Sequence, residues 1–251
     1  MLDTGAPTKT IFHLSKQDLA WQGNTVLRDL EIEIKAGEKV ALLGKSGAGK
    51  STLLKALYQL RPDDIAFCQQ APALVPSLSL FHNIYMGQLD KHNFLYNALN
   101  LFFPQKAVQK KVALLAQSLG LQEHLKARAE TLSGGQQQRA ALARTLIQER
   151  DIFLGDEPVS AVDELQAERL IAKIISSHQS VVLALHNTEL AVKYCDRIIG
   201  LKGGELAIDC QVAELDSDKL RQIYSDFDTQ QPTGEHDNTP VPKHPDLKLC
   251  R

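Results

Sequence analysis

From Ile11 onward, short apolar runs alternate with polar breaks. Residues 11–14, 26–34 and 39–43 predict strands, the second with Leu30, Ile32 and Ile34 at period two. Gly37-Glu38 supplies the turn between the last two. Residues 44–49 interrupt the strand pattern with Gly44, Gly47 and Gly49, and residues 50–58 carry Leu53, Leu54 and Leu57 at helical spacing. A strand, a glycine loop and a helix therefore follow one another. Pro72 and Pro76 punctuate the next stretch, and across residues 78–132 strand signals vanish while Val108, Val112, Leu115 and Leu119 recur at helical spacing. Beyond Gly135 the pattern alternates, with helices at 136–148, 164–177 and 188–194 and strands at 152–154, 181–185 and 197–201. Such alternation predicts an α/β fold with a mostly parallel sheet covered by helices. Residues 205–209 suit a further strand, and 216–224 a terminal helix opened by the acidic N-cap candidate Asp216.

This organisation implies one domain over residues 11–225, with 78–132 inserted as a helical subdomain. A flexible N-terminus (1–10) and a disordered tail (226–251) flank it; after Phe227 the chain turns to Gln, Pro, Thr, Asn, His and Asp, with Pro232, Pro240, Pro242 and Pro245. Composition narrows the partners. With 28 Lys+Arg against 30 Asp+Glu, the net charge of −2 leaves no global basic field, so no nucleic-acid ligand is expected. Apolar runs such as 181–185 fall far short of the roughly 18 residues that cross a bilayer, and the N-terminus lacks a charged region followed by an apolar core. The chain is expected in the cytoplasm unless a partner holds it at a membrane. Cys68, Cys195, Cys210 and Cys250 form no C-x-x-C pair, and none of His13, His82, His92, His124, His178, His236 and His244 stands at metal-ligand spacing. Reduced thiols and surface or packing histidines are expected. Lys106, Lys110 and Lys111 suit a solvated helix face.

Gly44-Lys45-Ser46-Gly47-Ala48-Gly49-Lys50-Ser51 fits G-x-x-x-x-G-K-[ST] and falls between a strand and a helix, where that motif must fall. Its glycines let backbone N–H groups turn towards phosphate oxygens, and the helix that follows, through Thr52, adds its positive end. Lys50 reaches the β/γ-phosphates and Ser51 offers a hydroxyl to Mg2+. Residues 152–157 form an apolar strand ending in two carboxylates: Asp156 suits Mg2+, and Glu157 suits orienting and deprotonating water. Alone, the acidic pair reads as a turn; paired with the phosphate loop it reads as hydrolytic. No N-K-x-D, H-R-D or D-F-G segment accompanies them, which favours ATP over GTPase or kinase chemistry. A second glycine-rich helix entrance, Leu132-Ser133-Gly134-Gly135-Gln136, offers N–H groups to another anion. Since Lys50 already serves one γ-phosphate, this entrance suits a different nucleotide.

That segment resembles the signature motif of ATP-binding cassette (ABC) ATPases. The resemblance spans about residues 11–225 and implies a RecA-like core with a helical subdomain and a reduced antiparallel β-subdomain. It further implies a head-to-tail dimer of two copies, in which Ser133, Gly134, Gly135 and Gln136 of one copy close over ATP held by the phosphate loop of the other. Trp21 matches the family's adenine-stacking aromatic; a half-buried strand position is the lesser alternative. Gln70 matches the glutamine that contacts Mg2+ and the attacking water, with Gln69 a close competitor that the register from Leu78 and Asn83 disfavours. Ser160-Ala161-Val162-Asp163 resembles the D-loop, with Val162 where Leu is usual and Asp163 facing the opposite copy. His186, after an apolar strand, matches the switch histidine at the γ-phosphate.

Within the family, Leu101-Phe102-Phe103-Pro104, the run 130–139 and the run 194–201 resemble ATPases of phosphonate-type importers. That likeness implies two integral membrane permease subunits that hold this chain peripherally at the cytoplasmic face of the inner membrane, a substrate-binding protein, and an alkylphosphonate or related phosphorus oxyanion as cargo. Three positions depart from the pattern. Only 25 residues (45–69) separate Gly44 from Gln70, where a further hairpin is usual; His82 precedes Asn83, where Glu is common; and Gly155 precedes Asp156, where Ala or a larger apolar residue is usual. A soluble ABC ATPase that remodels an enzyme or nucleoprotein complex is the alternative, favoured by the shortened segment and opposed by the single cassette without a basic arm or coiled-coil insertion. A regulatory module that binds ATP without hydrolysing it is opposed by Glu157 and His186.

Overall fold

The computed structural model describes residues 9–225. The expectations for residues 1–8 and for the tail 226–251 lie outside the described residues.

Strands β1 (Thr10–Trp21) and β2 (Asn24–Lys35) form an antiparallel hairpin. After β3 (Lys39–Leu43) come α1 (Lys50–Leu60) and β4 (Ile65–Cys68). Helices α2 (Leu80–Tyr85), α3 (Phe94–Phe102), α4 (Lys106–Ser118) and α5 (Gly134–Leu146) follow. The chain then alternates through β5 (Ile152–Asp156), α6 (Glu164–Ser177), β6 (Ser180–Ala184), α7 (Thr188–Tyr194) and β7 (Arg197–Lys202), and closes with β8 (Glu205–Gln211) and α8 (Ser217–Tyr224). Six strands form one sheet in the order β4-β5-β6-β3-β7-β8, all parallel except β8, which pairs antiparallel with β7. The parallel sheet with its helical and small antiparallel partners is the expected fold class.

Both faces of the central strands are buried, which explains their unbroken apolar runs. On β3, Val40 and Leu42 pack against the hairpin residues Phe12, Leu30 and Ile32 and the α1 residues Leu53, Leu54 and Leu57. Ala41 and Leu43 face the other way, into a second core with Phe153, Leu183 and residues of α5 and α6. Two strands are longer than their apolar patterns: β1 runs to Trp21, and β2 from Asn24 to Lys35. Strand β4 is unpredicted by the sequence, because four residues are too few to display a period. It lies on the sheet edge with Cys68 opposite Gly155 of β5.

Helix α2 starts at Ser79, whose hydroxyl accepts from the His82 amide. Its buried Asn83 accepts from the Val75 amide at 2.8 Å and donates to the Val75, Leu78 and Ser79 carbonyls. This one side chain closes the loop that joins the Gln70 region to the helical segment. The expected solvated lysine face is modified at Lys111, which pairs with Glu149 at 2.7 Å, a carboxylate shared with Lys91. Among the described residues no helix is long and apolar enough to cross a membrane. Asn83→Ala strips the loop of its buried partners and is expected to lower stability by about 2 kcal/mol, measured by urea unfolding.

Candidate functional site

The strand order brings the C-terminal ends of β4, β5, β6 and β3 side by side, and every expected site residue of the core follows one of them. After β3 the loop enters α1 through Gly49 at φ 103, where an added Cβ would sit 2.7 Å from Leu27 Cδ2. Left-handed backbone and close approach together require glycine there. Lys50, buried at the first position of α1, folds its ammonium back across the loop, donating to the Gly44 carbonyl at 2.7 Å and the Lys45 carbonyl at 3.2 Å. The carbonyls on that side thus hold the lysine, and residues 44–49 keep the curved form that a phosphate group fits. Burial lowers the Lys50 pKa, and the Glu157 and Asp156 charges oppose this.

Asp156 ends β5 and is 4% exposed. Burial raises its pKa, opposed by a hydrogen bond from Ser51 and by the charges of Lys50 and Lys55, while Glu157 adds to the rise. Its Oδ1 is buried without a hydrogen-bond partner. A buried carboxylate oxygen lacking a donor, beside a serine hydroxyl and next to a phosphate loop, fits a hard divalent cation such as Mg2+.

Glu157 adopts φ 53, in the left-handed region, and its amide donates to the Ala184 carbonyl at 3.2 Å. Its carboxylate accepts from Gln70 Nε2 at 3.2 Å on one oxygen and meets His186 Nε2 at 2.5 Å on the other. Gln70, Glu157 and His186, from three adjacent strand ends, therefore converge. Among these bonds the glutamine is Gln70 and not Gln69. Glu157 and His186 also line a cavity of about 400 Å³ with Ser160, Val162 and Asn187.

The remaining expected residues stand apart from this cluster. Trp21, at the end of β1, is 47% exposed, with Lys55 Nζ 3.7 Å from its ring centroid. Ser133 caps α5 in a reciprocal capping box: the Gln136 amide donates to the Ser133 hydroxyl, and the Ser133 amide to Gln136 Oε1 at 2.8 Å. Gly134 and Gly135 occupy the first turn. Asp163 caps α6 by accepting from the Gln166 amide at 2.9 Å. None of these bonds involves residues 44–52.

One further residue escaped sequence reasoning, and for another, already noted as a departure, the sequence did not show the reason. Arg144 of α5 donates to the Ala73 carbonyl at 2.8 Å and the Pro72 carbonyl at 3.1 Å, holding the segment just past Gln70. Its signal was an arginine amid a buried run, Ala140 to Leu146. Gly155 is the second. A Cβ there would lie 2.8 Å from Leu183 Cδ2, 2.9 Å from Phe153 Cε1 and 3.0 Å from Pro158 Cγ. Glycine at this position is thus demanded by larger neighbours that fill the space.

Fold and phosphate loop together define a nucleotide triphosphatase of the phosphate-loop class. A family profile described as ABC transporter matches residues 27–160. The phosphonates import ATP-binding protein PhnC of Mesoplasma florum is 35% identical over 249 residues, covering 85% of this chain and 99% of that protein. The phosphite import ATP-binding protein PxtA of Stutzerimonas stutzeri is 32% identical, covering 91% and 92%. A dimeric post-hydrolysis ATP-binding cassette bound to ADP and Pi is 26% identical with a TM-score of 0.61, covering 82% of this chain and 96% of that one. The chain belongs to the ABC transporter family, as an ATP-binding, ATP-hydrolysing subunit.

Gly155→Ala, although it installs the family's usual residue, is expected to destabilise the chain by about 1–3 kcal/mol through overpacking, read by chemical denaturation. For Asp156 the folded-state pKa lies above the ordinary aspartate value, so its favourable contribution is complete below that ordinary value and declines as pH rises through the folded one. Asp156→Asn is therefore expected to raise the melting temperature of the nucleotide-free chain at pH 7, with the gain vanishing below the ordinary aspartate range. Thermal unfolding across pH checks this.

Proposed function

We propose that this chain is the ATPase of an importer for phosphonate or a related phosphorus oxyanion, working as a head-to-tail dimer around two ATP molecules. The observation that carries the hydrolytic part is the convergence of the Glu157 carboxylate with Gln70 and His186 beside the phosphate loop. The names of relatives that this chain matches over most of their length, a phosphonates and a phosphite import ATP-binding protein, support the cargo class.

In this reading the backbone of Gly44, Lys45, Ser46, Gly47, Ala48, Gly49, Lys50, Ser51 and Thr52 cradles the phosphates, and the Lys50 ammonium shifts from the Gly44 carbonyl to the β/γ-oxygens. Ser51, Asp156 and Gln70 would hold Mg2+, which offsets phosphate charge when bound. His186 exchanges Glu157 for a γ-phosphate oxygen, freeing one carboxylate oxygen of Glu157 to orient water and take its proton. Trp21 stacks on adenine once Lys55 moves aside. Ser133, Gly134, Gly135 and Gln136 of the partner copy complete the phosphate shell, with Asp163 at the joint. Closure around ATP and reopening after hydrolysis supply two states that can bias a membrane partner.

For that partner, a cavity of about 460 Å³ lies in the helical segment, lined by Ser79, Phe81, His82, Pro104, Leu125 and Lys126. The His82 ring meets the Leu101 carbonyl at 3.0 Å, joining it to α3, whose Phe94, Leu95 and Phe102 are exposed. An apolar recess beside exposed aromatics suits an amphipathic helix of a permease subunit, which would hold the chain at the inner face of the inner membrane, with a substrate-binding protein acting further out. The soluble remodelling alternative keeps only the shortened segment before Gln70 in its favour.

Glu157→Gln is expected to lower ATP hydrolysis by at least about 100-fold while preserving ATP binding and trapping an ATP-dependent dimer, seen by phosphate release and light scattering; unchanged hydrolysis would refute the role of Glu157. Co-purification of the chain from native membranes should recover an integral membrane subunit. Recovery of soluble partners alone would overturn the importer.

A further inference from the structure

We infer that Gln138 is a positioning residue for Glu157, and that it ties the hydrolytic carboxylate to the same helix that reads the partner copy's nucleotide. The inference rests on the roles of Glu157 and Ser133 proposed above.

Gln138 lies five residues beyond Ser133 on α5, about 7 Å along the helix axis, and is only 6% exposed. Its amide nitrogen donates to the Glu157 carbonyl at 2.9 Å and to the Ser160 hydroxyl at 2.9 Å, and its oxygen accepts from the Ala161 amide at 2.7 Å. All three partners lie in the segment that follows β5, none on α5 itself. A buried amide is thus consumed in holding one loop, and truncating it would leave that loop's polar groups without partners.

The clamp falls where restraint is needed. Glu157 sits at φ 53, a conformation a glutamate keeps only when its surroundings over-determine it. Its amide is held by the Ala184 carbonyl of β6, and its carbonyl receives Gln138 together with a longer bond of 3.3 Å from the Ser160 amide. With the backbone gripped on both sides, the carboxylate is aimed at Gln70 and His186. Helix and loop are also in direct backbone contact, since a Cβ on Gly135 would lie 2.7 Å from the Ala161 carbonyl oxygen. The start of α5 and the segment 157–161 therefore form one rigid unit. When the Ser133 end meets ATP held by the partner copy, the displacement reaches Glu157 of the copy's own site through Gln138. Each active site is set by occupancy of the other.

The test uses the full chain in its membrane complex, with Q138A and Q138E. Q138A is expected to lower kcat about 10- to 100-fold with the ATP KM changed less than about threefold, and to bring the Hill coefficient for ATP close to one. Q138E retains the acceptor for the Ala161 amide but can donate to the Glu157 carbonyl only when protonated. Its activity relative to the unsubstituted chain is therefore expected to rise as pH falls from 8 to 6. A folded Q138A with unchanged kcat, or one whose kcat falls only with lost ATP binding, overturns the inference. If Q138A does not fold, Q138E decides alone, and a pH-independent activity ratio overturns it. Glu157→Gln separates the levels: if it stays active, the Glu157 role itself fails; if it is inactive while Q138A keeps full kcat and cooperativity, only the positioning role fails.

Discussion

Everything at this site depends on the parallel pairing of β4, β5, β6 and β3. Parallel ladders put like ends together, so residues just past four separate strands emerge on one edge of the sheet. Gln70, the Asp156-Glu157 pair, His186 and the phosphate loop come from positions as far as 142 residues apart, 44 to 186, yet need no long loops to meet. The stiffness comes from burial on both faces. The hairpin β1–β2 with α1 covers one side, and α5 with α6 covers the other.

On that base sit groups whose charge conflicts with their surroundings. Lys50 and Asp156 are both buried, and burial works against the charged form of each, while each stabilises the other's charge. The unmatched Oδ1 of Asp156 is the residue of that conflict. A core chosen for stability alone would contain neither group. Here local instability is placed where, in the proposed reading, a cation and phosphates would supply the missing partners.

Much of this was legible in the chain, and the reasons are particular. Runs such as 39–43 and 152–154 are apolar because both sheet faces are covered, and the glycine spacing at 44–49 carries its own geometric demand. The glycine-rich helix entrance at 132–136 was legible, whereas the reciprocal capping box of Ser133 and Gln136 went unread although its spacing is in the sequence. What escaped notice lacked periodicity or depended on neighbours. Strand β4 is four residues long, and its existence follows from pairing with β5. Gly155 stood out only as a departure from the family pattern, and its reason lies in Leu183, Phe153 and Pro158, which occupy the space of a side chain there. Gln138 and Arg144 sit within an ordinary helical pattern, and only the tertiary arrangement reveals what each holds.

The contact between Lys55 and Trp21 has a bearing on selectivity. An exposed cation–π pair of this kind is worth about 0.5–1 kcal/mol, so in the proposed reading a purine would have to outcompete the chain's own ammonium for the ring. A free nucleobase or nucleoside arrives with little to offset that displacement. A nucleotide already anchored through its triphosphate presents its base to the ring at a high effective concentration. Under the proposed seating of adenine on Trp21, occupation of the ring would be conditional on the phosphates having docked, and adenine compounds that lack them would be screened out.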